Sequence, residues 1–385
     1  MYDHNLDDYG YYQLGNARYF NKVQAILDSD RCQWPLRWNY LDQEFDQHDW
    51  TQEPDVSLED LYAARARDIR ERYDYLVLHF SGGSDSCNVL ETFIRAGVHL
   101  DEVLIRGSYS QVPHHRGVIA AEHGYGECIS QAMPLAQWVR DNHMPHLRIT
   151  LVDTTKIMLD YFGRNPDWVE HSGTILTPSF GWKACLDGIS PHYRELTERG
   201  QRVAHIYGAD KPNIRRRGAI FYTQWADNQV GMFAAQRNSL IDSPLHIELF
   251  YWGRRTIPLQ IKQLHVLKNH IKQHATPEIL FDATQASQLG LDQGTAGRHS
   301  ENYKASVLYR RTLPLLTEPL KPAGSLISAV DAWFARDPYD PAYLNYQRGI
   351  EYLNTLLPRN WIPDQGLWSH TGINAMVSRP RYIGT

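Results

Sequence analysis

Apolar residues first settle into a steady period at Leu58, Leu61, Tyr62, Ala66, Ile69 and Tyr73, the three-and-four spacing of an amphipathic helix. Ser57, with Asp60 three residues later, supplies an acidic variant of a capping box at its start. Tyr75-Leu-Val-Leu-His-Phe80 comes next, a short and nearly continuous apolar run rich in strand formers, the pattern of a strand buried on both faces of a parallel sheet. Ser81-Gly-Gly-Ser-Asp-Ser86 follows it directly. Val89, Leu90, Phe93 and Ile94 then resume a helical stripe that stops at Gly97, a good C-terminal cap. Glu102 to Ile105, Leu147 to Asp153 and Arg202 to Tyr207 are further strand candidates with helical stretches between them. This alternation predicts an α/β chain built on a parallel, Rossmann-like sheet.

The flanks differ. The first fifty residues hold Trp34, Trp38, Trp50 and a cluster of Asp and Tyr without a steady period, which predicts an irregular cap. Beyond about residue 245 come long amphipathic segments such as Leu259 to His274, broken by proline-bearing connections like Leu313 to Pro322. They predict a mainly helical C-terminal region. A chain of 385 residues accommodates one large or two medium domains. With 42% apolar and 22% charged residues it is globular, neither disordered nor collagen-like. Its 39 basic and 44 acidic side chains leave a formal charge of −5, so no global positive field draws it onto nucleic acid or an anionic bilayer. No run approaches roughly 18 apolar residues, and the start MYDHNLDDYG has no charged-then-apolar pattern. A cytoplasmic protein without membrane contact is expected. Cys32, Cys87, Cys128 and Cys185 are isolated, with no C-x-x-C pair, which favours reduced structural thiols over zinc or an iron–sulfur cluster.

The candidate chemistry concentrates in Ser81 to Ser86. Between a buried strand and a helix, this loop gathers backbone N–H groups and the positive end of a helix dipole at one concave spot, suited to phosphate. Gly82 and Gly83 lack a Cβ, so main chain can wrap closely around an anion, while Ser81, Ser84 and Ser86 offer hydroxyl donors. Asp85 is the odd member. A carboxylate beside a polyphosphate repels it unless a cation lies between, so Asp85 implies either bridging Mg²⁺ or plain helix capping. Magnesium is preferred, because the serines can cap without it. No G-x-x-x-x-G-K-[ST] occurs, so nothing marks γ-phosphate transfer.

S-G-G-x-D-S after a strand resembles the PP-loop of the adenine nucleotide alpha hydrolase-like superfamily of ATP pyrophosphatases, whose members include asparagine synthetase-like synthetase domains. The resemblance covers about residues 71 to 215. It implies ATP with its β and γ phosphates in the loop, attack by a substrate oxygen on the α phosphorus, and an adenylate that a nitrogen or sulfur nucleophile displaces. His205-Ile-Tyr-Gly-Ala-Asp210-Lys-Pro is similar to the G-D-G-A-D-E segment of those domains, which implies Gly208 beside the nucleotide and Asp210 as a magnesium ligand with Asp85. Tyr207 and Lys211 replace the first Asp and last Glu of that pattern; Lys211 contacts phosphate or is a solvated lysine. Asparagine synthetases also carry a glutaminase with a cysteine directly after the initiator Met, where this chain has Tyr2. The nitrogen would then come from ammonia, an amine on a second substrate or a separate partner. Asp49 to Pro54, Leu61-Tyr62, the loop, and Tyr251-Trp252 leading to Lys262-Gln-Leu-His265 also resemble the free-standing proteins of this type encoded by large bacteriophages.

By position after the first strands, Arg106, Gly107 and Asp153 are candidates for contact with adenine, against ordinary loop chemistry. Arg215-Arg216-Arg217 is first of all a solvated basic run; it could also offset pyrophosphate charge or grip a nucleic-acid backbone. Lys262 and Lys304 compete for the adenylate-steadying lysine that the resemblance implies. His114, His115, His123, His143 and His146 lack metal-binding spacing, Tyr251-Trp252 is assigned to the core, and Cys128 and Cys185 to structural thiols.

The expected organisation is an N-terminal cap and helix over 1–70, a PP-loop ATP-binding α/β domain over 71–245 and a helical C-terminal substrate region over 246–385. The expected activity is that of an ATP- and Mg²⁺-dependent ligase forming AMP, pyrophosphate and an amide from an acceptor acid and ammonia or an amine. Asp85, Lys211 and Arg215 would act on the reaction. Two alternatives remain open: modification of a nucleobase in tRNA, DNA or a nucleotide, and a non-catalytic ATP-binding module. The acceptor, the donor and the oligomeric state are left open.

Overall fold

The computed structural model describes residues 9–107, 131–171, 176, 191–208, 211–227, 245–274, 303–314, 334, 339–357, 361 and 373–385. Its N-terminal part is more regular than the residue pattern suggests. β1 (Tyr11–Leu14), β2 (Ala17–Tyr19) and β3 (Leu36–Asn39) form an antiparallel sheet in the order β2-β1-β3, with helix α1 (Lys22–Cys32) packed on it. Strands of three or four residues are too short to display an alternation, so the expected irregular cap is corrected to a small sheet. After α2 (Asp42–Phe45) comes the helix announced by Ser57. α3 (Leu58–Arg72) begins with the Ser57 hydroxyl accepting from the Asp60 N–H at 3.1 Å, and it buries Leu58, Tyr62, Ala66 and Ile69.

A five-stranded, wholly parallel sheet follows. Its first strand, β4 (Tyr75–His79), keeps Leu76, Val77 and Leu78 fully buried, each side chain worth roughly 1.5–3 kcal/mol relative to exposure. Helix α4 (Ser84–Arg95) leads to β5 (Glu102–Gly107), and α5 (Met133–Asn142) precedes β6 (Arg148–Asp153). Past α6 (Thr155–Arg164), α7 (Trp168–His171) and α8 (Pro191–Glu198), the chain returns to β7 (Val203–Tyr207) on the opposite side of β4. The sheet order is therefore β10-β7-β4-β5-β6, with β10 running Leu245–Leu249. The direction of winding reverses between β4 and β7, and at such a reversal the loops leaving neighbouring strands part to open a crevice.

β10 lies across the 245/246 boundary suggested by the change of sequence texture, and it pairs with β7 from Leu245↔Val203 to Leu249↔Tyr207. A hairpin of β8 (Ile214–Arg217) and β9 (Ile220–Thr223) turns at Gly218, and β11 (Arg381–Gly384) near the C-terminus pairs with β9. The C-terminal part thus adds a strand to its helices. α9 (Ile257–Gln273) packs on α3, and α10 (Pro341–Leu356) packs on α6 and α7. At the latter contact Tyr346 stacks on Trp168 with ring centroids 5.1 Å apart, and a Cβ at Gly349 would lie 2.2 Å from Trp168 Nε1. Among the described residues no helix is long and apolar enough to cross a membrane.

Candidate functional site

The Ser81–Ser86 segment occupies the crevice between β4 and β7. Gly82 takes φ +79°, a left-handed conformation that glycine adopts without strain, and a Cβ there would come 3.0 Å from the main-chain N of Ala132. Gly83 is the N-cap of α4 and has no side chain with which to cap it, so the first-turn N–H groups are not covered by one. The three hydroxyls behave differently. Buried Ser86 donates to the Gly83 carbonyl at 3.1 Å and braces the loop; Ser81 is exposed, accepts from the Gly83 N–H at 3.3 Å, and Ser84 is half-buried.

The facing wall comes from the end of β7. A Cβ at Gly208 would lie 3.0 Å from both the Asp85 carbonyl carbon and the Ser86 N, so the strand's exit presses directly on the first turn of α4. Lys211 is 1% exposed, and its Nζ sits 3.0 Å from Oδ1 and 3.4 Å from Oδ2 of Asp85. It is no solvated lysine. Its ammonium also lies 5.7 Å from the Tyr309 ring centroid.

Two tyrosines that the residue pattern did not mark as functional complete the arrangement. Tyr309 donates its hydroxyl to Oδ1 of Asp85. Tyr251 donates to the Asp85 carbonyl at 3.1 Å and accepts from Asn88 Nδ2 at 2.9 Å. Their rings stack, 5.9 Å apart and 21° from parallel. Burial above all, then neighbouring tyrosines and the charge of Asp85, pushes both hydroxyls well above the ordinary phenol range, so each stays an O–H donor. Tyr251 does pack in the core, as expected, but its hydroxyl belongs to the site.

Below the loop, Nε2 of His79 and Nδ1 of His205 are 2.8 Å apart, and Tyr207 stacks on His79 with centroids 4.0 Å apart. Half-buried Arg106 lies 5.8 Å from the other ring of that stack, Tyr207, and its charge adds to the burial that lowers His205 to about 3.

The remaining candidates are dispersed. Asp153 accepts from the Thr155 N–H at 2.9 Å at the start of α6, which is helix-end chemistry two strands from β4. Arg215, Arg216 and Arg217 are exposed on β8. Lys262 is held by Glu53 at 2.7 Å, whereas buried Lys304 donates to Asn213 Oδ1 at 2.8 Å, close after Lys211. Asp210 lies outside the described residues, as do His114, His115, His123, Cys128 and Cys185.

Among the described residues no three His, Cys, Asp or Glu side chains gather around a point. Among the described residues the carboxylate at the loop is Asp85, whose Oδ1 is engaged by Lys211 and Tyr309 while Oδ2 has the 3.4 Å approach of Lys211. That donor set fits a Mg²⁺ held by a carboxylate together with phosphates and water. A loop of main-chain donors, a buried ammonium and one carboxylate with spare acceptor capacity can hold a polyphosphate and a divalent cation. No protein-family model matches the chain, and no curated protein matches it.

Proposed function

We propose that the chain is an ATP-dependent adenylating ligase of the PP-loop, adenine nucleotide alpha hydrolase-like kind, which cleaves ATP to AMP and pyrophosphate and forms an amide. The observation that carries this is the meeting of Ser81–Ser86 with buried Lys211 where the strand order reverses, since it joins a glycine-lined main-chain loop at a helix start to a fixed positive charge.

In this scheme the main chain at Gly82, Gly83 and Ser84 binds the β and γ phosphates, and Lys211 offsets the negative charge that grows on them. A carboxylate oxygen of the acceptor attacks the α phosphorus. The bond from that phosphorus to the α,β-bridging oxygen breaks, and its electron pair leaves with pyrophosphate. Ammonia or an amine then adds to the carbonyl of the acyl-adenylate, AMP departs, and a proton is lost from nitrogen. Mg²⁺ held between Asp85 and the phosphates would supply charge neutralisation when bound. The exposed Arg215–Arg217 run keeps one alternative alive, a nucleobase in a polynucleotide as the group adenylated.

The test is the product pattern. Purified chain with Mg·ATP, ammonium and pooled carboxylic acids is expected to give AMP and pyrophosphate in equal amounts. ADP and orthophosphate would overturn the proposal, and tight Mg·ATP binding without any product, with acids or with nucleic acid, would favour a non-catalytic module.

A further inference from the structure

Residues 303–314 lie against α4 and the exit of β7 as a strap. Lys304 holds Asn213; the N–H groups of Thr312 and Leu313 both donate to buried Glu91, each at 3.1 Å; and Arg95 of α4 reaches the Arg310 carbonyl at 3.4 Å. Tyr309 stands between these anchors, so its place over the first turn of α4 is set on both sides. From there its hydroxyl meets Asp85 Oδ1, the oxygen that also takes Lys211 at 3.0 Å.

We infer that Tyr309 is a positioning residue: with Lys211 it ties Oδ1 of Asp85 and leaves Oδ2, which has the longer 3.4 Å approach of Lys211, as the oxygen with capacity to take the magnesium of a bound nucleoside triphosphate. This rests on the function proposed above. Asp85 is a short side chain at a helix start, and with Lys211 alone it could rotate to share both oxygens equally with the ammonium. A second donor on Oδ1 biases the pair to the unequal arrangement observed, 3.0 Å to Oδ1 and 3.4 Å to Oδ2. Tyr251 gives Tyr309 its rigidity through the stack, and it holds the Asp85 main chain by its own hydroxyl without touching the carboxylate. The two tyrosines therefore divide the work, one on the side chain and one on the backbone.

The experiment measures binding of α,β-methylene-ATP by calorimetry across a magnesium titration, in wild type, Tyr309→Phe and Tyr251→Phe. Phenylalanine keeps the ring stack and removes one hydroxyl. For Tyr309→Phe the magnesium concentration giving half-maximal binding should rise about tenfold, the scale of one lost hydrogen bond to a charged group, with metal-free nucleotide affinity unchanged. Tyr251→Phe should melt at a lower temperature and keep its magnesium dependence within about twofold, because the bonds it loses go to the Asp85 main chain and the Asn88 side chain and not to the carboxylate. Tyr309→His, which keeps a ring donor, should fall between wild type and Tyr309→Phe, and it serves in place of the phenylalanine variant if that one does not fold. An unchanged magnesium dependence in Tyr309→Phe, or the same shift in both phenylalanine variants, would reduce Tyr309 to a packing role while leaving the proposed function standing. A wild-type protein that binds no nucleotide at any magnesium concentration would remove both.

Discussion

The Lys211 ammonium lies 3.0 Å from Oδ1 of Asp85, with the lysine side chain 1% exposed and the aspartate 18%. This pair fastens the loop after β4 to the segment after β7 across the crevice. Removing one partner of a buried pair costs about 3–5 kcal/mol, because the other charge is left without water or counterion. The two halves differ here. Asp85→Asn takes the carboxylate from an ammonium with almost no access to water, whereas Lys211→Met takes the ammonium from a carboxylate that keeps Tyr309 and partial access. Urea denaturation should show Asp85→Asn losing about 3 kcal/mol, Lys211→Met losing less, and the double variant losing clearly less than their sum. Additive losses would mean the pair is not coupled. A loss of product formation in Asp85 variants must therefore be measured on protein shown to be folded.

Gly208 is as close a constraint on the crevice as Gly82 of the loop, where a Cβ would also meet main chain at 3.0 Å. The missing Cβ of Gly208 leaves room for the Asp85 carbonyl carbon and the Ser86 N, both 3.0 Å from where that atom would be, and neither backbone atom can swing aside. Gly208→Ala should push the exit of β7 away from α4 at a cost of roughly 1–3 kcal/mol. Melting temperature reports that cost, and nucleotide binding should weaken in the same variant because Lys211 follows Gly208 closely. An alanine variant as stable as wild type would show that the two segments are loosely apposed.

The part of this site that the sequence exposes is the part that is local. Strand, glycine loop and helix start are consecutive from Tyr75 to Ser86, so one pattern marks all three. Tyr309 is different: it reaches Asp85 across 224 positions, and nothing near residue 309 refers to that contact. β10 was hidden for another reason. Leu245-His-Ile-Glu-Leu249 alternates apolar and polar as a half-exposed strand does, yet all five residues are buried. Its polar positions are tolerated because Tyr73 packs on His246 and the Glu248 carboxylate meets Arg65, Arg72 and Tyr73. Partners that satisfy a buried charge come from other elements, and composition along one strand does not announce them.

Glu248 gives the next prediction. Its Oε2 is 2.7 Å from Arg65 Nη2 and its Oε1 is 2.7 Å from Arg72 Nη1, which ties β10 to α3; although burial opposes it, the two guanidinium groups and the Tyr73 hydroxyl hold the carboxyl well below its usual range. Arg65 has a side chain only 5% exposed. Glu248→Gln should destabilise the fold by about 3 kcal/mol or more, since it removes the charge facing a buried guanidinium. Arg72→Gln should cost less, as that side chain is 25% exposed, and Arg65 keeps the Glu248 carboxylate and Asp68. Denaturation midpoints in the reverse order would contradict the assignment of Arg65 as the buried partner.

His205 sets the acid limit of the sheet. It is fully buried on β7 between His79, 2.8 Å away, and the edge-on ring of Tyr193, with Tyr207 and Arg106 beyond, and burial first and the Arg106 charge second push it down to about 3. An unfolded histidine titrates near about 6.5. The folded value is the lower one, so the fold keeps this ring neutral while the unfolded chain takes up a proton. Its contribution to stability is complete above about pH 6.5 and declines as pH falls toward about 3, by up to about 1.4 kcal/mol per pH unit. Glu248 acts in the same direction, but only below the usual carboxylate range near about 4.3. Between pH 6.5 and 4.5 the carboxylates contribute little, but His265 and His270, which burial also lowers, decline alongside His205, so the difference between wild type and a His205 variant is what isolates this ring. His205→Gln is less stable than wild type at neutral pH, and its decline across this interval should be shallower by about 1 kcal/mol per pH unit. If the two proteins lose stability in parallel, the proton taken up on acid unfolding goes elsewhere, and the His79–His205 pair is not what limits the sheet.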